Sequence, residues 1–362
     1  MRTHNRQLVN TLMHSVIFWI FAFQSYAFFR YFGLEQASLV PGVQEVEKVI
    51  LVSPYSIALY IGLGLGVLYG IVDFFYEKYF LKKLGLGLGL VVNTLLHFAA
   101  IIFVFTASLT VISKIFSVGI QLEAGWWFHQ KRFWAVIWYV LLCSVVASFI
   151  KIARERFGAG TFIKMLLGTY KIPKEEQRIF MFLDLKDATG IAEKLGHHLY
   201  SQFLQDCFFD LNEILRAYDA EIYQYVGDEA VLSWNYDRGL NRQNCVSIFF
   251  AFNKKRENRL SYYLQKYGVF PEFKAGLHGG SVMVAEVGFV KKELAYHGDV
   301  LNTCARIQAA CNTHQVSLLI SEQLLHELQS TSSTVIDADY LGAVLLKGKN
   351  NRVKIHAIQR NF

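Results

Sequence analysis

The chain is short of charge and lacks the cysteine patterns that mark metal or redox sites. Only 18% of its 362 residues are charged against 53% hydrophobic, and the mean hydropathy of +0.28 is high for a soluble protein. Five cysteines, Cys143, Cys207, Cys245, Cys304 and Cys311, form no C-x-x-C pair and no zinc spacing. They do not read as a disulfide framework and are left as small apolar fillers in a reducing compartment. The glycine runs GLGLGVLYG and LGLGLGL contain no G-x-G-x-x-G after a strand. They read instead as close helix packing, with Gly66 and Gly70 at G-x-x-x-G spacing. The net charge of +7 does not point to nucleic acid, because the positive residues cluster beside apolar segments. That is where membrane proteins place cytoplasmic anchors.

The apolar residues concentrate before residue 153 and the charged ones after it. Four stretches, about 8–32, 55–77, 86–112 and 133–152, are long and apolar enough to cross a bilayer. The first follows MRTHNRQ and is too long for a signal-peptide core, so it reads as a retained anchor. Lys82, Lys83, Lys151, Arg154 and Arg156 fall on one side of the spans, and Glu35, Glu45 and Glu47 on the other. This asymmetry puts both termini in the cytoplasm of a bacterial inner membrane. Lys131 and Arg132 run against it, while Trp126, Trp127 and Trp134 beside them suit an interfacial belt. His14 and His97 lie inside spans, where ionisable groups mark function or bundle hydrogen bonding. A bis-histidine haem is the sharper alternative. The expected organisation is a transmembrane domain over 1–152, a coupling linker over 153–178 and a cytoplasmic catalytic domain over 179–362.

Chemistry concentrates in the C-terminal half. Asp184 ends the apolar strand RIFMFLDL, and Asp228 sits in the Gly-Asp turn of EIYQYVGDEAVLSW. Residues 190–218 have helical periodicity, with Ile191, Leu195, Leu199, Phe203, Cys207 and Leu211 along one stripe. EFKAGLHGG and SVMVAEVG read as a second hairpin. The order strand, helix, hairpin, helix, strand is that of an α+β, ferredoxin-like sheet. In it the first strand lies beside the hairpin, so Asp184 and Asp228 converge. Two carboxylates that close repel unless a cation sits between them, and Mg²⁺ or Mn²⁺ with a nucleotide phosphate is the usual solution. Asn302 and Arg306 stand four apart in GDVLNTCARIQ and share a helix face. LLKGKN supplies Lys347 and Lys349.

In these four motifs, taken in order over about residues 175–360, the chain resembles the class III nucleotide cyclases. The resemblance implies conversion of ATP to 3′,5′-cyclic AMP and pyrophosphate; the alternatives are cyclisation of GTP or another nucleoside triphosphate, or a catalytically silent nucleotide-binding membrane receptor. It implies two Mg²⁺ or Mn²⁺ ions on Asp184 and Asp228, and Asn302, Arg306 and Lys347 as catalytic groups from the other chain of a homodimer. Gln224, Ala295 and Leu185 are the implied nucleotide contacts. Adenine readers of the family usually carry Lys and Asp or Thr where Gln224 and Ala295 stand, and guanine readers Glu and often Cys. With Ala295 unable to hydrogen-bond through its side chain, Tyr296, His297 or the backbone is left to read the base. Asp228→Ala is expected to abolish turnover while leaving membrane insertion intact; full activity in that variant would sink the two-metal assignment.

Overall fold

A computed structural model describes residues 2–32, 54–79, 86–115, 131–157, 164–165, 167–290, 292–331, 336–345 and 352–359. The chain divides into two compact units, Met1–Glu155 and Arg156–Phe362.

Each of the four apolar stretches forms a helix: α1 (Arg2–Tyr31), α2 (Pro54–Tyr79), α3 (Leu86–Ile115) and α4 (Lys131–Phe157). Two of them are long and apolar enough to cross a membrane, over Thr11–Tyr31 and Tyr55–Phe75. The other two carry shorter apolar runs among the described residues, Leu95–Val104 and Trp134–Ile150. The glycines of α2 do what their spacing predicts. A Cβ on Gly66 would come within 2.6 Å of the Val16 Cα, so only glycine lets α1 and α2 approach this closely. Trp19, Phe23, Leu65, Tyr69, Ile101 and Val140 fill the centre of the unit. Phe21, Phe29, Tyr60, Phe103 and Trp138 point outward and are largely exposed. His97 is buried, stacks on the Tyr69 ring at 4.1 Å and pairs with Asp73 at 3.3 Å. His14 lies on an exposed face. The two histidines therefore do not share a common interior site, and His97 already has ring and carboxylate partners.

The second unit is built on one eight-stranded sheet. Its strands are β1 (Lys174–Leu185), β2 (Glu221–Val226), β3 (Glu229–Asn235), β4 (Phe273–Val287), β5 (Glu293–His297), β6 (Leu318–Ser321), β7 (Ala338–Leu345) and β8 (Arg352–Ile358). They run in the order β2-β3-β1-β4-β6-β8-β7, with β5 on β4. The β2-β3-β1-β4 part is the predicted ferredoxin-like order with β1 beside the hairpin.

β1 is central and buried on both faces, which explains its unbroken apolar run. Ile179, Met181 and Leu183 join the core beneath α5 (Ala188–Leu215), α7 (Asn244–Glu257) and α8 (Leu260–Tyr267), after a short α6 (Tyr236–Leu240). Phe180 and Phe182 face the other way, toward α9 (Asp299–His314). Burying each such side chain contributes about 1.5–3 kcal/mol. The predicted stripe of α5 is the buried one, with Ile191, Phe203, Cys207 and Leu211 in the core. A last helix, α10 (Glu322–Thr331), covers the same side.

Two expectations shift. β1 starts at Lys174, inside the predicted linker, and Tyr170 is already buried, accepting the Glu286 N–H through its carbonyl at 2.9 Å. EFKAGLHGG and SVMVAEVG are one continuous strand, β4, whose hairpin partner is β5. Gly279 and Gly280 mark no turn; Tyr236, Ile179 and Val300 occupy the space their side chains would take.

Gly276 matters most for the site. A Cβ there would lie 2.3 Å from the Gln308 backbone N and 2.7 Å from its Cα, so α9 rests directly on the β4 backbone. Gly276→Ala is expected to destabilise this unit by about 3 kcal/mol, the upper end of overpacking costs. Thermal unfolding of the purified full chain checks it, and an unchanged midpoint would refute the close approach.

Candidate active site

The β1 register builds the centre of the site. Asp184 pairs with Glu229 across β3 and with Lys274 across β4, so three charged residues form a row on one face of three adjacent strands. Asp228 joins the row from the β2–β3 turn. Gly227 takes φ +62° there, at the first loop position where a type II′ hairpin demands glycine. Asp184 and Asp228 lie close enough that the charge of one bears on the other. Burial, followed by the Asp184 charge, raises the Asp228 carboxyl above its ordinary range. Burial with both aspartates pushes Glu229 up to about 7. Tyr200 on α5 is raised to about 12, by burial and then by the same two aspartates.

Cations and amides answer this excess of negative charge. Lys274 Nζ lies 3.1 Å from Asp184 Oδ2, and Gln308 Nε2 donates to the same oxygen at 2.8 Å. Lys186 Nζ donates to Ser317 Oγ at 3.0 Å and lines, with Lys274, Cys311, Asn312, Gln315 and Val316, a cavity of about 260 Å³.

Asp184 and Asp228 fit a divalent ion in donor chemistry. Both offer hard anionic oxygens, and at an effective dielectric constant of ~20 two unit charges ~4 Å apart repel by about 4 kcal/mol. A cation between them removes that repulsion. Among the described residues no three His, Cys, Asp or Glu side chains converge to enclose a metal by themselves. Phosphate oxygens and water would complete such a shell.

The remaining predicted residues divide. Asn302 is exposed and Arg306 half-buried on α9. At about 100° per residue they lie some 120° and 160° around the helix from Gln308, which touches Asp184. Among the described residues no hydrogen bond or ion pair joins either one to Asp184 or Asp228. Gln224 is exposed on β2, and Ala295 is half-buried on β5. The Leu185 side chain is in the core on the opposite face from Asp184, so it offers a ligand only its main chain. The Tyr296 ring is committed to packing, 5.3 Å from Phe180 and 4.9 Å from Tyr223, with the Arg178 guanidinium 5.1 Å from its centroid. His297 is exposed. Lys347 and Lys349 lie outside the described residues. Asp187 takes the N-cap position of α5 with no side-chain cap bond, so Asp184 has no capping role there.

Sequence reasoning missed Glu229, Lys274, Gln308 and Tyr200. The Glu of VGDE stood in plain view, but its place beside Asp184 depends on register. Lys274 and Gln308 reach Asp184 only through β4 and α9, and no local pattern announces either.

The family model described as "Adenylate and Guanylate cyclase catalytic domain" matches residues 171–360. "Adenylate cyclase 2" of Rhizobium meliloti (strain 1021) is 33% identical over 220 residues, 61% of this chain and 60% of that protein. "Adenylate cyclase 1" of the same strain is 26% identical over 184 residues, 49% of this chain and 27% of that protein. The chain thus spans less than two thirds of the length of either relative. The solved structure of a bacterial light-regulated adenylyl cyclase is similar in fold, with a TM-score of 0.51 and 16% identity, over 67% of this chain and 72% of that one.

The Glu229 shift has a defined sign. Between its ordinary 4.5 and about 7 the folded chain holds a proton that the unfolded chain has released. Without metal, stability should therefore fall as pH rises through that window. Glu229→Gln should flatten the slope in melts run with EDTA at pH 5, 6 and 7. An identical slope in both proteins would refute the assignment.

Proposed function

The chain belongs to the adenylate and guanylate cyclase catalytic domain family, and on that premise we propose a membrane-anchored nucleotide cyclase. Its reaction is conversion of ATP to 3′,5′-cyclic AMP and pyrophosphate, with its catalytic unit in the cytoplasm. One observation carries the reading. Asp184 and Asp228 converge at one end of the sheet, while Asn302 and Arg306 of the same chain face away from them. The arrangement makes chemical sense when a second copy supplies the missing half, which argues for a homodimer with two shared sites.

Asp184 and Asp228 would hold two Mg²⁺ or Mn²⁺ ions. When bound, such ions lower the pKa of the ribose 3′-hydroxyl and neutralise the leaving phosphates. Arg306 of the partner copy holds the α-phosphate oxygens as charge builds on them. Asn302 orients the ribose, and Lys347 meets the terminal phosphates. Lys274, 3.1 Å from Asp184, adds positive charge for a polyphosphate. Gln224 reads the base through an amide that can accept from adenine or donate to guanine. Two relatives named as adenylate cyclases favour ATP. The outward aromatic residues of α1 to α4 suit lipid contact and support the membrane anchor.

The full-length protein in lipid, incubated separately with ATP, GTP, CTP and UTP plus Mn²⁺, tests the reaction. Cyclic AMP should dominate. Cyclic GMP as the main product would reassign the substrate, and no cyclic product would overturn the enzyme reading. Co-assembly of inactive Asp184→Ala and Arg306→Ala chains tests the shared site. Roughly a quarter of wild-type turnover is expected, since half of randomly formed two-fold dimers are mixed and each keeps one site. No recovery in confirmed mixed dimers would refute it.

A further inference from the structure

We propose that Gln308, together with Asn312 acting through Lys274, is the positioning element that presents Asp184 to a divalent cation. The proposal rests on the reading of Asp184 as a metal-binding residue.

Gln308 is only 7% exposed, so its amide is a committed donor. It donates to Asp184 Oδ2 at 2.8 Å, and Lys274 Nζ reaches that same oxygen at 3.1 Å. Lys274 is itself held, donating to Asn312 Oδ1 at 2.8 Å. Gln308 and Asn312 are four apart and lie on one face of α9. The contact at Gly276 fixes how far that face stands from the strand carrying Lys274. Two donors on one oxygen set the plane of the carboxylate and leave Oδ1 outside both interactions. A carboxylate ordered before its cation arrives does not have to be ordered by it, and binding is correspondingly tighter.

The residue type matters as much as the distance. A lysine at 308 would add a second full positive charge and cancel the anion a metal needs. A glutamate would add a fourth carboxylate to Asp184, Asp228 and Glu229. The neutral amide donates without altering the charge of the site. Outer hydrogen-bond partners of metal-binding carboxylates commonly matter to affinity in this way.

Titration of the purified full-length protein with Mn²⁺ alone, followed by the electron paramagnetic resonance signal of the free ion, reads this role without substrate or turnover. Gln308→Met keeps the volume and removes the donor. It should weaken Mn²⁺ binding about tenfold or more, with unchanged stoichiometry. Asn312→Ala, at an exposed position, should shift affinity less and in the same direction. A merely structural role would lower the melting temperature and leave the affinity of the folded protein alone. If Gln308→Met binds Mn²⁺ like wild type while Asp184→Ala does not, the positioning role falls and the aspartate reading stands. If Asp184→Ala also binds like wild type, both fall. Should Gln308→Met fail to fold, Gln308→Asn and Asn312→Ala replace it, and unchanged affinity in both overturns the proposal.

Discussion

Repulsion between carboxylates organises this protein. Strand pairing sets Asp184 beside Glu229 and the β2–β3 turn adds Asp228, a grouping of negative charge that Lys274 and Gln308 offset only at Asp184. It persists because the sheet that imposes it is anchored elsewhere. Ile179, Phe180, Met181 and Leu183, all fully buried, hold β1 in place from both faces. The stability of a deep apolar strand thus supports a strained electrostatic end, a common division of labour between scaffold and site.

How much of this was legible in the sequence follows from how far each signal reaches along the chain. The α5 stripe, the β1 run and the Gly227-Asp228 hairpin are local patterns, and each lies where periodicity or turn chemistry put it. The pair Asp184 and Asp228 was accessible because one topological rule, a first strand beside the hairpin, connects two local signals. Lys274 and Gln308 were not accessible. They depend on which residue of β4 sits across from Asp184 and where α9 crosses the strand, both set by tertiary packing. The Gly279-Gly280 pair misled for the opposite reason. Glycine is as useful for admitting a neighbour's side chain as for turning the chain, and sequence alone does not separate the two uses.

The N-terminal unit follows a different logic. Its glycines at 62, 66 and 70 admit the α1 backbone, and its outward residues are large and apolar. Polar side chains enter it at His97, which is buried beside Tyr69 and the half-buried Asp73, and at the buried Ser144. Polar side chains inside such bundles cost free energy and persist when they specify packing or perform work. Here they tie α2 to α3 through ring stacking and through the Tyr69 hydroxyl, which donates to the His97 carbonyl oxygen at 3.0 Å.

The contact at Gly276 bears on how such a domain can change state. Helix α9 touches bare backbone, with no intervening side chain to repack and no slack along which to slide. Interiors packed this tightly switch between discrete arrangements and do not deform by degrees. Along this contact β4 and α9 are therefore bound to move as one piece, so a change that displaces the helix displaces the strand carrying Lys274 with it.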